Sequence, residues 1–96
     1  MNFSVVIKKK LVIEINELPP KTRRIIFESL QKLERNPWPG VMGNKERLQL
    51  DEGNEVYRLH IGRNYTVFYT IHKEDAIVKI HNIMTIGQAH KRYGRL

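Results

Sequence analysis

Arg58 and His60 stand two residues apart in Val56–Ile61, a short alternating stretch. Residues two apart on a strand share a face. A guanidinium and an imidazole therefore lie side by side on one face, with Tyr57, Leu59 and Ile61 on the other. A guanidinium presents a planar fork of N–H donors to a phosphate. An imidazole changes charge near neutral pH and is suited to moving a proton. Lys79 and His81 repeat this spacing in a later stretch, alternating with Val78, Ile80 and Asn82. Lys45 and Arg47 fall near one edge of the same sheet. Such a basic surface suits a phosphodiester backbone. Taken singly, Arg58 reads as a solvated cation and His60 as an exposed or hydrogen-bonded histidine. Their shared face makes them a candidate site.

The same residue types exclude other chemistry. His60, His72, His81 and His90 lack the spacing of a metal-binding motif, and the chain has no cysteine. Neither a thiolate metal site nor a structural disulfide is possible, and a resident metal or other cofactor is not expected. No phosphate-binding glycine loop, dinucleotide fingerprint or nucleophile elbow is present.

The elements that must carry these residues follow from periodicity. Phe3 to Ile7 reads as a strand. Lys8 to Leu18 reads as a helix with Leu11, Ile15 and Leu18 on one stripe, stopped by Pro19-Pro20. A second helix starts at Pro20 or Lys21 and runs to Asn36-Pro37. Ile26, Leu30 and Leu33 mark its buried stripe, widened by Ile25 and Phe27. The short break makes the two helices an antiparallel hairpin. Residues 37–44 read as a loop. Four strands follow, Arg47 to Leu50, Val56 to Ile61, Tyr65 to His72 and Ala76 to Met84, joined by turns at 51–54, 62–64 and 73–75. Gly87 to Tyr93 reads as one or two helical turns. The expected fold class is α+β: a small, mostly meander antiparallel sheet with the N-terminal helical hairpin on one face and the other face partly open.

A chain of 96 residues fits one domain, spanning 1–96. Seventeen Lys and Arg against ten Asp and Glu give a net charge of +7, which draws polyanions or an acidic protein. Val5-Val6-Ile7 is cut off by Lys8-Lys9-Lys10, so no secretory signal is read here. No stretch approaches the ~20 apolar residues of a membrane span. A cytoplasmic protein is expected.

Residues 56–69 (Val-Tyr-Arg-Leu-His-Ile-Gly-Arg-Asn-Tyr-Thr-Val-Phe-Tyr) resemble the central hairpin of RelE/ParE toxins, which commonly reads Tyr-Arg-Ile-Arg-Val-Gly-Asp-Tyr-Arg-Val-Ile-Tyr. Lys45-Glu46-Arg47-Leu48 resembles the basic segment before that hairpin. The opening strand, the helical hairpin ending in Asn-Pro and the last strand also fit. The resemblance implies the toxin of a type II toxin–antitoxin pair, neutralised by a cognate antitoxin. It further implies inhibition of translation by ribosome-dependent, metal-independent mRNA cleavage, or alternatively a gyrase-directed toxin. The residues themselves also leave open a catalytically degenerate toxin and a non-toxic basic nucleic-acid-binding module.

Carried onto this chain, Arg58 and His60 fall at two family positions that are commonly basic, while Tyr65 and Tyr69 match hairpin tyrosines read as structural. The family's catalytic arginine, one residue after the first of these tyrosines, is Thr66 here. A threonine cannot neutralise charge on a phosphorane as a guanidinium does. In the tail, alignment on Tyr93 leaves no Arg at the strand's end, and alignment on Ala89-His90-Lys91 places Lys91 there. The expected catalytic set is Arg58, His60, His90 and Tyr93. The expected RNA-binding set is Lys45, Arg47, Arg63, Lys79, His81, Lys91 and Arg92. The expected partners are the antitoxin, the ribosome and mRNA.

Overall fold

In a computed structural model, which describes residues 2–40, 44–49 and 55–93, the chain forms a five-stranded mixed sheet and three helices. The elements are β1 (Ser4–Ile7), α1 (Lys9–Asn16), α2 (Pro20–Lys32), β2 (Lys45–Gln49), β3 (Glu55–Ile61), β4 (Tyr65–His72), β5 (Ile77–Thr85) and α3 (Ile86–Tyr93). The strand order is β1-β5-β4-β3-β2. The expected meander is present, with β2, β3, β4 and β5 antiparallel. The first strand adds a feature that local pattern does not specify: β1 pairs parallel with β5, Ser4 beside Ile77 through Ile7 beside Ile80. The expected turn at residues 51–54 lies outside the described residues.

The helical hairpin forms as its apolar spacing dictates. Leu11 and Ile15 of α1, and Ile26 and Leu30 of α2, are buried. Pro19 caps α2 and Pro20 occupies its first turn, where a missing N–H costs nothing. The Arg23 side chain crosses the break and donates to the Asn16 carbonyl at 3.1 Å. α2 ends at Lys32, four residues before the expected Asn36. Leu33, Glu34 and Arg35 form tighter turns, donating to the carbonyls of Leu30, Gln31 and Lys32. Ile25, expected to widen the buried stripe, is 39% exposed.

The helices cover the face carrying Tyr57, Leu59, Ile61, Val67, Tyr69, Val78 and Ile80, which form one core with Leu11, Ile15, Ile26, Leu30 and Leu33. Each fully buried aliphatic side chain contributes roughly 1.5–3 kcal/mol. The fully buried Tyr69 stacks on Tyr57 at 5.6 Å. Its hydroxyl donates to the Pro37 carbonyl at 2.8 Å, and burial pushes the phenol well above its ordinary range. Trp38 packs edge-on against Phe3 and Tyr57, at 6.3 and 6.1 Å. Trp38 thus ties the segment after α2 onto the sheet. Between β3 and β4 the chain turns at Gly62, whose φ of 59° lies in the left-handed region that favours glycine.

Candidate nucleic-acid interface

Register places the residues of the second face in rows. Residues directly opposite on paired strands share a face. One row runs His60, Thr66, Met84 across β3, β4 and β5. The next runs Glu46, Arg58, Phe68, Asn82 from β2 to β5. Arg58 and His60 therefore share this face, as their spacing predicts.

Arg58 is not the open cation that its spacing suggests. Only 6% of it is exposed. Its Nη2 donates to the Glu46 carboxylate on the neighbouring strand. Its Nε is buried without a partner, as is the Thr66 Oγ1 in the adjacent row. Buried polar groups are nearly always paired, because each unpaired one costs about 1–3 kcal/mol. The two orphans lie in neighbouring rows of one face, beneath its surface. Glu46 was not a sequence candidate. Antiparallel pairing of β2 with β3 sets it opposite Arg58, and the alternation of Lys45-Glu46-Arg47 is the signal that could have found it. His60 is half-buried in the row of Thr66, directly opposite it.

Lys45 and Arg47 lie at the β2 edge, as expected, but on the helix side of the sheet, opposite Leu59 and Tyr57. The period of two decides this: Glu46, between them, takes the Arg58 face. Lys45 Nζ donates to the Asn36 carbonyl at 2.8 Å, and partial burial lowers its ammonium below the usual value. Arg47 pairs with Glu55 at 3.6 Å with both side chains largely exposed. Arg63 is exposed in the turn after β3.

A bulge reorganises β5. Phe68 pairs with Asn82 but Tyr69 pairs with Ile80, which leaves His81 as the extra residue. Simple alternation groups Asn82 with Ile80; the bulge moves Asn82 and Met84 to the Phe68 face and Ile83 to the core side. It also aims His81 at β4, where its Nε2 lies 2.8 Å from the Thr70 hydroxyl. The same hydroxyl lies 3.0 Å from His72 Nε2. Lys79 is exposed and sits opposite Thr70. Burial, then the charges of Lys79, Lys8 and His72, hold His81 below its ordinary value.

The tail is helical. Thr85 and Gln88 form a reciprocal cap: the Thr85 N–H donates to Gln88 Oε1 at 2.9 Å, and the Gln88 N–H to Thr85 Oγ1 at 3.1 Å. This Thr-x-x-Gln spacing is a helix-start signature legible in the sequence. Ala89 is 3% exposed and packs on Phe68 and Met84. α3 thus covers part of the face that sequence leaves open. His90, Lys91 and Arg92 are exposed in its last turn, where cations complement the helix dipole. The Tyr93 side chain lies outside the described atoms. Arg92 lines a cleft of about 420 Å³ together with Lys8, Lys10, His81 and Asn82. The structure thus gathers Arg58, His60, Lys79 and His81 on one face beside α3, and sets Lys45 and Arg47 on the other. Among the described residues, no group of three or more His, Cys, Asp or Glu is placed to hold a metal ion, and no helix is long and apolar enough to cross a membrane.

This architecture recurs in known proteins. The chain is 32% identical over 91 residues to the "Putative toxin RelE1" of Methanocaldococcus jannaschii, covering 95% of this chain and 98% of that one. It is similar to the archaeal RelE–RelB complex from Pyrococcus horikoshii, with a TM-score of 0.75, 29% identity, and coverage of 93% of this chain and 100% of that one. The RelBE2 toxin–antitoxin complex of Mycobacterium tuberculosis shares the fold at a TM-score of 0.70 and 19% identity, over 88% of this chain and 99% of that one. Residues 7–88 match the family described as the ParE toxin of type II toxin–antitoxin systems, parDE. A five-stranded sheet with its helical hairpin, the hairpin sequence of β3 and β4, and this match together place the chain in the RelE/ParE toxin family of type II toxin–antitoxin systems.

Proposed function

We propose that this chain, acting as one domain over residues 1–96 in the cytoplasm, inhibits translation by cleaving mRNA on the ribosome without a metal, and that a cognate antitoxin neutralises it. The observation that carries this reading is the buried, unpaired Nε of Arg58, beside the unpaired Thr66 hydroxyl on a basic sheet face. A phosphate oxygen is an acceptor for both, and reaches them when the side chains that bury them move aside. In the reaction, a ribose 2′-hydroxyl attacks the adjacent phosphorus. The O2′–P bond forms and the P–O5′ bond breaks, leaving a 2′,3′-cyclic phosphate and a 5′-hydroxyl. One group takes the 2′ proton and another returns a proton to the leaving oxygen. Arg58, steadied by Glu46, supplies positive charge from beneath the face to the phosphorane. Fixed cations and donors of this kind supply the largest share of such rate enhancements. His60, His90 and Tyr93 are the proton carriers, with Lys91 and Arg92 holding the strand.

The antitoxin partner follows from similarity to RelE–RelB complexes, and a net charge of +7 selects an acidic segment for it. A second reading, inhibition of gyrase without nuclease activity, is favoured by Thr66 at the position of an expected arginine. Incubating the purified protein with mRNA on programmed ribosomes, and separately with gyrase and relaxed plasmid, distinguishes the two. Cut mRNA with gyrase unaffected supports the nuclease. Blocked supercoiling with intact mRNA replaces it with the second reading.

A further inference from the structure

Thr70 holds two imidazoles by one oxygen. His72 Nε2 lies 3.0 Å and His81 Nε2 2.8 Å from its hydroxyl. A hydroxyl has one proton to give and two lone pairs to receive with. It donates to at most one of these nitrogens, so at least one imidazole carries its proton on Nε2. If both imidazoles are protonated, both Nε2–H groups donate inward and the Thr70 O–H is released to donate elsewhere.

The surroundings oppose a charged His81 unless an anion is present. Lys79 is opposite Thr70 on β5, and Lys8 at the start of α1 is near enough to repel an imidazolium at His81. Lys8, Lys10 and Glu14 of α1 and Arg92 of α3 line the cleft that adjoins His81. Glu14 is the single acid among these groups. Position in the fold adds to the case. β1 pairs with β5 only as far as Ile80, so the cleft opens at the stretch where the bulge re-aims His81. Bulges recur where a side chain must be re-aimed for function.

We propose that Thr70, His72, His81 and Lys79, with Lys8 at the rim, form a second anion subsite that takes a backbone phosphate of an RNA strand crossing this face, with proton uptake on binding. This rests on the reading of the face as an RNA surface and extends it beyond the Arg58 row. His72 and Thr70 thereby join the binding surface. Proton uptake follows because bound phosphate favours the charged form of His81, which burial first and the neighbouring lysines second otherwise suppress.

The test is imidazole ¹H–¹⁵N NMR of the full chain at about pH 6, near the titration range of histidine, with inorganic phosphate as one probe and a short single-stranded oligoribonucleotide as the other. Both probes should move the His72 and His81 ring resonances. Binding should weaken by about threefold or more on raising the pH to about 7.5. Thr70→Val, a β-branched replacement with no hydroxyl, should abolish the shifts while the backbone spectrum stays native. Movement with phosphate alone would assign the site to free phosphate and overturn its place on an RNA path. No movement of either ring with either probe, or unchanged shifts in Thr70→Val, would overturn the subsite. The nuclease reading fails independently: ring shifts without mRNA cleavage would remove the nuclease and leave the subsite standing.

Discussion

Replacing Arg58 with Met separates what this residue does for folding from what it does for function. The Arg58 side chain is 8% exposed and its partner Glu46 45% exposed. Loss of the ion pair costs little on the Glu46 side, because that carboxylate rehydrates; a pair of this exposure contributes up to about 1 kcal/mol. Removing the guanidinium also removes a buried N–H with no partner, worth roughly 1–3 kcal/mol. Met keeps a stem of similar length against Phe68, opposite on β4, and sulfur packs well on aromatic rings. Replacing buried ion pairs with apolar groups is often neutral or stabilising. The expected result is a gain of about 1–2 kcal/mol, an upward shift of roughly 0.5–1 M in the urea midpoint for a protein of this size. Cleavage of ribosome-bound mRNA should fall about 10²–10³-fold, the usual effect of removing one group that stabilises developing charge. Two-state urea curves and single-turnover cleavage on one preparation read both numbers. A variant destabilised by more than about 2 kcal/mol with wild-type cleavage would refute the reasoning, since Arg58 would then be a structural ion pair and nothing more.

Three further outcomes follow from the same geometry. Tyr69→Phe removes the donor to the Pro37 carbonyl and should cost about 1–2 kcal/mol in the urea midpoint, with cleavage unchanged because this tyrosine belongs to the helix-side core. Gln88→Ala breaks the reciprocal cap with Thr85; α3 amides should exchange with solvent about five- to tenfold faster, an effect of roughly 1 kcal/mol, while β3 and β4 keep their protection. Stability should fall on acidification. His81 is held below its ordinary 6.5 by burial first and nearby cations second, so the unfolded chain binds more protons and the contribution, complete above about 6.5, is lost as pH drops through the lower folded value. His81→Gln should flatten that decline between about pH 7.5 and 5.5, measured as urea midpoints.

Sequence and structure agree where a single local rule suffices. The Leu11, Ile15 and Leu18 spacing and the Pro19-Pro20 break place the helical hairpin. β-branched and aromatic residues between two polar turns place β4 at its observed limits, Tyr65–His72. Alternation assigns the Arg58 and His60 face. Features that depend on two distant segments are not legible in this way. The pairing of β1 with β5 joins residues about seventy positions apart. The bulge at His81 reverses the parity of Asn82, Ile83 and Met84, and an alternating pattern has no mark for one extra residue. Exposure of Arg58 depends on Glu46 from one neighbouring strand and Phe68 from another. The Thr85-x-x-Gln88 spacing marks the start of α3 at Ile86, one residue before the expected Gly87. Thr66 is visible as a departure from the family pattern, but the unpaired state of its hydroxyl is not.

The central claim is that this sheet face cuts RNA through the ribose 2′-hydroxyl. Its most direct test is a pair of mRNAs on programmed ribosomes, one all-ribose and one with a single 2′-deoxy nucleotide at the mapped cut. The account predicts cleavage of the first, with a 2′,3′-cyclic phosphate end, and none of the second at that position. Equal cleavage of both, or no cleavage of either by a protein shown to be folded, would contradict it.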